Sequence, residues 1–171
     1  MRQKAARIMI FGRPGSGKST FALKLHKATK LPLHHLDKHF FEENWIERDY
    51  QEFLNIQQAL VDQEAWIIDG NSLKSLEMRY GRADTALYFN FPIGQCYWRV
   101  FKRLFDKNPE IDDRAEGCRE TVKMDLLRYI WRVPKRVALY LDFLRETYPN
   151  VRFIEIKSKR DLKKLEQEFL K

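Results

Sequence analysis

Apolar runs and amphipathic stretches alternate along almost the whole chain. Residues 7–11 (Arg7-Ile8-Met9-Ile10-Phe11) predict a buried strand. Phe21, Ala22, Leu25 and Ala28 then recur at helical spacing and predict a helix over 18–30. Leu31 to Leu36 predicts a second strand, and Ile46, Tyr50, Phe53, Leu54, Leu60 and Val61 share one helical face. Ala65-Trp66-Ile67-Ile68 predicts a third strand closed by Asp69-Gly70, and Thr85 to Phe89 a fourth, closed by Asn90 and Pro92. Helical spacing resumes at Tyr97, Val100, Phe101 and Leu104. It returns at Val122, Leu126, Tyr129, Ile130 and Val133, where Pro134 is expected to break or restart the pattern before Val137, Tyr140, Leu141 and Leu144. Val151 to Ile156 predicts the last strand, and Ser158 with Asp161 three positions on predicts a helix cap.

Five strands separated by helices imply an α/β fold with a parallel sheet covered by helices on both faces, three layers in all. The segment Asp106 to Gly117 has little apolar content beyond Ile111 and Ala115 and contains Asn-Pro, so a lid-like insert is expected at about 106–118. No linker or repeat interrupts the pattern, and 171 residues suit one domain, 1–171, with one substantial core.

Composition narrows the classes. No run of about 18 apolar residues is present, so no membrane span is expected. The first residues become a core strand too early for a signal peptide, and Cys96 and Cys118 lack metal-type spacing, so reduced thiols in a cytoplasmic protein are expected. A formal net charge of +8 attracts polyanions: nucleotides, nucleic acid or acidic surfaces.

The most specific signal is Gly12-Arg13-Pro14-Gly15-Ser16-Gly17-Lys18-Ser19, followed by Thr20, between the first strand and the first helix. It fits G-x-x-x-x-G-K-[ST], the phosphate-binding loop, in the strand–loop–helix setting that the chemistry requires. Glycines let backbone N–H groups turn inward on phosphate oxygens, and the helix adds its positive end. Lys18 is expected on the β- and γ-phosphates and the Ser19 hydroxyl on Mg²⁺. The sequence therefore implies nucleotide binding in a P-loop NTPase fold.

Ligands of open parallel sheets bind beyond the carboxyl ends of the strands, so residues delivered there are candidates. Asp37 follows strand two, where a carboxylate would accept a proton from a hydroxyl acceptor or hold a metal-bound water. Asp69 closes the buried third strand as a metal-binding or acceptor-orienting carboxylate. Asn71 follows it as an acceptor contact. Arg99 and Arg103, four apart on one helix, and Arg79 offer guanidinium forks to phosphate oxygens. Trp45, with Phe40 and Phe41, could wall a base or sugar, core packing being the alternative. His34 and His35 are adjacent in a strand and should point to opposite faces, which argues against a shared metal site with His39. The stretch Lys123, Arg128, Arg132, Lys135 and Arg136, interleaved with aromatics, suits either nucleic acid or a solvated helix.

These residues resemble the adenylate-kinase-like small P-loop kinases: the loop through Thr20, Asp69-Gly70 after strand three, and the Arg99/Arg103 pair leading into a lid. A closer resemblance is to the DNA topology modulation proteins (FlaR-type). It rests on Leu36-Asp37 with Trp45, on Trp66 to Asn71, on Arg79 with Ala83-Asp84, and on Arg99 with Arg103. Ala115-Glu116-Gly117-Cys118 with Glu120, and Leu127 to Trp131 leading to Pro134-Lys135-Arg136, complete it. Two positions depart from that pattern. Ile111-Asp112-Asp113-Arg114 replaces the usual Arg-Pro-Asp, and Ser72 replaces an aromatic residue after Asp-Gly-Asn. The resemblance implies an ATP-binding, Mg²⁺-dependent phosphotransferase with a nucleoside- or nucleotide-like acceptor. The alternative is a nucleotide-dependent, DNA-associated regulator or an ATPase with weak phosphotransfer.

Overall fold

The computed structural model describes residues 6–43, 46–102 and 124–170. The elements run β1 (Arg7–Gly12), α1 (Lys18–Thr29), β2 (Leu33–His35), α2 (Leu36–Phe40), α3 (Tyr50–Val61) and β3 (Trp66–Asp69). A short 3-10 turn (Leu73–Ser75) leads into α4 (Leu76–Tyr80), β4 (Thr85–Phe89), α5 (Ile93–Lys102), α6 (Met124–Thr147), β5 (Arg152–Ile156) and α7 (Lys159–Phe169). The strands form one sheet in the order β2-β3-β1-β4-β5, every pair parallel.

Strand alternation divides the apolar residues between two cores. From β1, Met9 and Phe11 face the side covered by α3, α4 and much of α6, with Phe53, Val61, Tyr80, Val133 and Val137. Ile8 and Ile10 face the other side, against Phe21 and Leu25 of α1, Cys96 and Val100 of α5 and Leu165 of α7. The same split runs through β4, where Ala86 and Tyr88 join the first core and Leu87 and Phe89 the second. A strand apolar on both faces must be covered on both, which is why these runs read as continuous rather than alternating. The α/β three-layer architecture is as expected.

Helix starts follow local chemistry. Asp49 caps α3 by accepting from the Glu52 N–H at 3.0 Å. Ser158 caps α7 by accepting from the Asp161 N–H at 3.2 Å, and its hydroxyl donates to the Asp161 carboxylate at 2.7 Å.

Three expectations change. The second strand is only Leu33–His35, because Leu36 already opens α2 and carries Asp37 into a helical turn. Pro134 interrupts nothing: α6 is continuous from Met124 to Thr147 with the proline inside. Three short elements, α2, the 3-10 turn and α4, lie where the sequence predicts no helix. The insert at about 106–118 lies outside the described residues. Among the described residues, no helix is long and apolar enough to cross a membrane.

Candidate functional site

The loop between β1 and α1 leaves the sheet at its centre, and its glycines are required there. Gly12 has φ +133°, and a Cβ on it would strike the backbone carbonyl of Phe89 on β4. Gly15 has φ +77°, and a Cβ would strike the carbonyl of Cys96 on α5. The loop is held from both flanks: the Arg13 N–H donates to Phe89 O at 3.1 Å, and the Gly12 N–H donates to Asn71 Oδ1 at 2.8 Å.

Inside the loop, the Ser16 hydroxyl and the Lys18 ammonium both donate to Arg13 O, at 2.6 and 3.2 Å. Gly17, at φ 94°, precedes the first turn of α1, which has no side-chain cap and no acidic residue. Its leading amides are therefore available to an anion, with the helix dipole behind them.

Asp69 lies beside this nest at the end of β3 and is 4% exposed. Its Oδ2 accepts a 3.0 Å hydrogen bond from His35 Nδ1 on the neighbouring strand. Its Oδ1 is buried with no hydrogen-bond partner. Burial by itself would raise the Asp69 pKa, but the His35 hydrogen bond, the Lys18 charge and the Ser19 hydroxyl together bring it below the usual carboxylate value. A buried carboxylate oxygen without a donor, ionised at neutral pH and near a serine hydroxyl and a lysine, fits a hard divalent cation. Ser19 and Asp69 are the residues able to hold one. Among the described residues, no group of three or more His, Cys, Asp or Glu side chains is placed to hold a metal.

Arg99 reaches the loop from α5. Its Nη1 donates to Ser16 O at 2.8 Å, and its guanidinium lies 4.9 Å from the centre of the Phe91 ring. Lys18, Ser19, Asp69, Asn71 and Arg99 are thus brought to one end of the sheet. Pro14, Ser16 and Gly17 belong to the loop itself, and Thr20 is exposed on the first turn of α1.

Arg79 has a different setting. It is completely buried and donates to the carbonyls of Gly70 at 3.0 Å and Ser72 at 2.6 Å, so it braces the segment after β3. Burial lowers its pKa to about 10, with Tyr129, Asp69, Tyr50 and Asp37 opposing, so it stays charged at neutral pH. Asp37 is exposed on the first turn of α2, close enough for its charge to raise the Tyr129 pKa, which burial chiefly drives to about 12. Asp37, Arg79 and Tyr129 therefore share the β2–β3 flank of the site. Trp45 and Arg103 lie outside the described residues.

His35 was not singled out for this site by the sequence reading. Its signal is the parallel register His35↔Asp69, which puts both side chains on one face at neighbouring strand ends. His34 points elsewhere, its ring 6.2 Å from that of His39.

No protein-family model matches the chain, and no curated protein matches it. Solved structures share its fold. A shikimate kinase from Acinetobacter baumannii, solved with shikimate, is 11% identical over 96% of this chain and 94% of its own, with a TM-score of 0.56. A shikimate kinase from Bacteroides thetaiotaomicron is 14% identical over 96% and 98%, also at 0.56. A gluconokinase from Sinorhizobium meliloti 1021 is 15% identical over 99% and 91%, at 0.54. The chain is similar to these proteins in architecture, and that architecture is the α/β P-loop NTPase fold.

Proposed function

We propose that this chain is an ATP-dependent phosphotransferase for a small acceptor of nucleoside or nucleotide type, with Mg-ATP as donor. The carrying observation is the pairing of an uncapped, glycine-lined phosphate nest with the ionised Asp69, a carboxylate that keeps its Oδ1 buried without a donor and feels the Lys18 charge and the Ser19 hydroxyl. In this reading the loop amides and Lys18 hold the donor phosphates, and Ser19 and Asp69 hold Mg²⁺. The cation, when bound, neutralises charge on the phosphate oxygens. Asp37 takes the proton of the acceptor hydroxyl, and Arg99 with Arg103 offsets equatorial charge. Arg79 and Asn71 keep the segment after β3 in place beneath the acceptor, and Trp45 contacts it. The shikimate kinase and gluconokinase folds are in keeping with a small-molecule acceptor. The motif resemblance to DNA topology modulation proteins belongs with the same kinase-like loop.

The test is a screen of nucleosides and nucleotides for acceptor-dependent ATP consumption. Lys18→Ala and Asp37→Asn should each reduce turnover by about 100-fold or more. One observation favours a second reading, a DNA-associated regulator. The face of α6 exposes Arg132, Lys135 and Arg136 around Trp131, with the Lys135 ammonium 4.8 Å from the ring centre. Absence of acceptor-dependent turnover, together with salt-sensitive DNA binding that survives Lys18→Ala, would decide for that reading.

A further inference from the structure

The Asp69 carboxylate has two oxygens in unlike settings, and the difference is built by β2. His35 is directly opposite Asp69 in the parallel register, and it is 9% exposed. The ends of the two strands are also locked by packing: Gly70 adopts φ +151°, and a Cβ there would lie 2.6 Å from the Leu36 Cβ. An ionised carboxylate only accepts, so the proton of the 3.0 Å contact sits on His35 Nδ1, and the bond fixes Oδ2. Rotation that would exchange the two oxygens costs that bond in a site nearly closed to water. Oδ1 is left buried without a donor of its own, in a carboxylate on which the Lys18 charge and the Ser19 hydroxyl both act. Lys18 is the competitor: its charge acts on Asp69, while its ammonium is retained by Arg13 O.

We infer that His35 is a positioning residue for the cation-binding carboxylate: by donating from Nδ1 to Asp69 Oδ2 it presents Oδ1 to Mg²⁺. This deepens the phosphotransferase reading and rests on it. His35 touches neither nucleotide nor acceptor. Its contribution is to the affinity gained when Mg²⁺ accompanies the nucleotide, not to the affinity of the bare nucleotide.

The experiment is a titration of wild type, His35→Leu and His35→Asn with ATP by calorimetry, once with excess Mg²⁺ and once with EDTA. Hydrogen-bond partners of metal ligands are worth 10–100-fold in metal affinity. His35→Leu should lose about 10–100-fold of the Mg²⁺-dependent gain while its affinity in EDTA stays within about threefold. His35→Asn, whose side-chain amide can donate from a similar position, should restore most of that gain. Equal losses with and without Mg²⁺ would make the residue merely structural and overturn the inference, as would an unchanged gain in a folded His35→Leu. If His35→Leu does not fold, the imidazole ¹⁵N shifts of the wild type decide. A neutral Nδ1–H tautomer supports the inference, and an Nε2–H tautomer overturns it. Failure of the wild type to bind Mg-ATP at all would instead remove the functional reading beneath it.

Discussion

At the scale of single residues, backbone approach and charge carry the most consequence. Gly15→Ala must accommodate both a φ of +77° and a side-chain carbon against the Cys96 carbonyl. It should lower stability by about 2 kcal/mol and abolish nucleotide binding, read by denaturant unfolding and calorimetry. Asp84 ties the start of β1 to β4: its Oδ2 accepts from the Ala6 and Arg7 N–H groups at 3.0 and 2.8 Å, its Oδ1 from the Arg7 guanidinium at 2.9 Å. Burial opposes ionisation of Asp84, but these donors outweigh it and hold its pKa below the usual carboxylate value. A depressed carboxylate pKa means stability that is present above the unfolded value and lost as pH falls through the folded one. Asp84→Asn should therefore cost about 1.5 kcal/mol at neutral pH and flatten the stability profile below pH 4, where wild type declines. At this scale the sequence was informative about identity and less so about direction. Lys18, Ser19 and Asp69 are recognisable from a motif and a strand end. The inward turn of Arg79 onto two carbonyls, and the meeting of His35 with Asp69, depend on strand register and on which way a long side chain folds.

At the scale of elements, boundaries set by apolar runs were legible, with β4 matching its predicted range and β1 and β5 shifting by a residue. The five-residue helices α2 and α4 were not, because fewer than two turns give no usable period. Pro134 misleads for another reason. It is a strong breaker locally, but Ile130, Val133, Val137 and Leu144 are buried on both sides of it, and that tertiary packing carries α6 through. The proline still lacks the N–H that a helix interior would use. Pro134→Ala should raise the melting temperature by a few degrees, about 2–4 °C per kcal/mol gained. Ser158→Ala removes the cap of α7 and should cost about 1 kcal/mol in denaturant unfolding, with no effect on nucleotide affinity.

For the whole molecule, the net charge of +8 and the central phosphate loop act together. If the loop takes ATP as proposed, a hundredfold excess over Kd adds about 2.7 kcal/mol to the folded state, an upward melting shift of about 5–10 °C. Lys18→Ala should remove that shift, and added salt should shrink it by screening the charges around the phosphates.

The strand order β2-β3-β1-β4-β5 also has a temporal side. During synthesis, β1 emerges well before Trp66–Asp69 and Thr85–Phe89, the strands that must flank it. At 5–20 residues per second the ribosome needs about 4–15 s to reach Phe89 from Gly12, and longer to add β5 at the edge. For that interval the strongly apolar strand Ile8-Met9-Ile10-Phe11 has at least one edge unpaired, and both until Trp66–Asp69 emerges, a state that invites chaperone capture or association with other nascent chains. The placement that encloses the phosphate loop in the finished fold thus makes its parent strand the segment most in need of protection during birth.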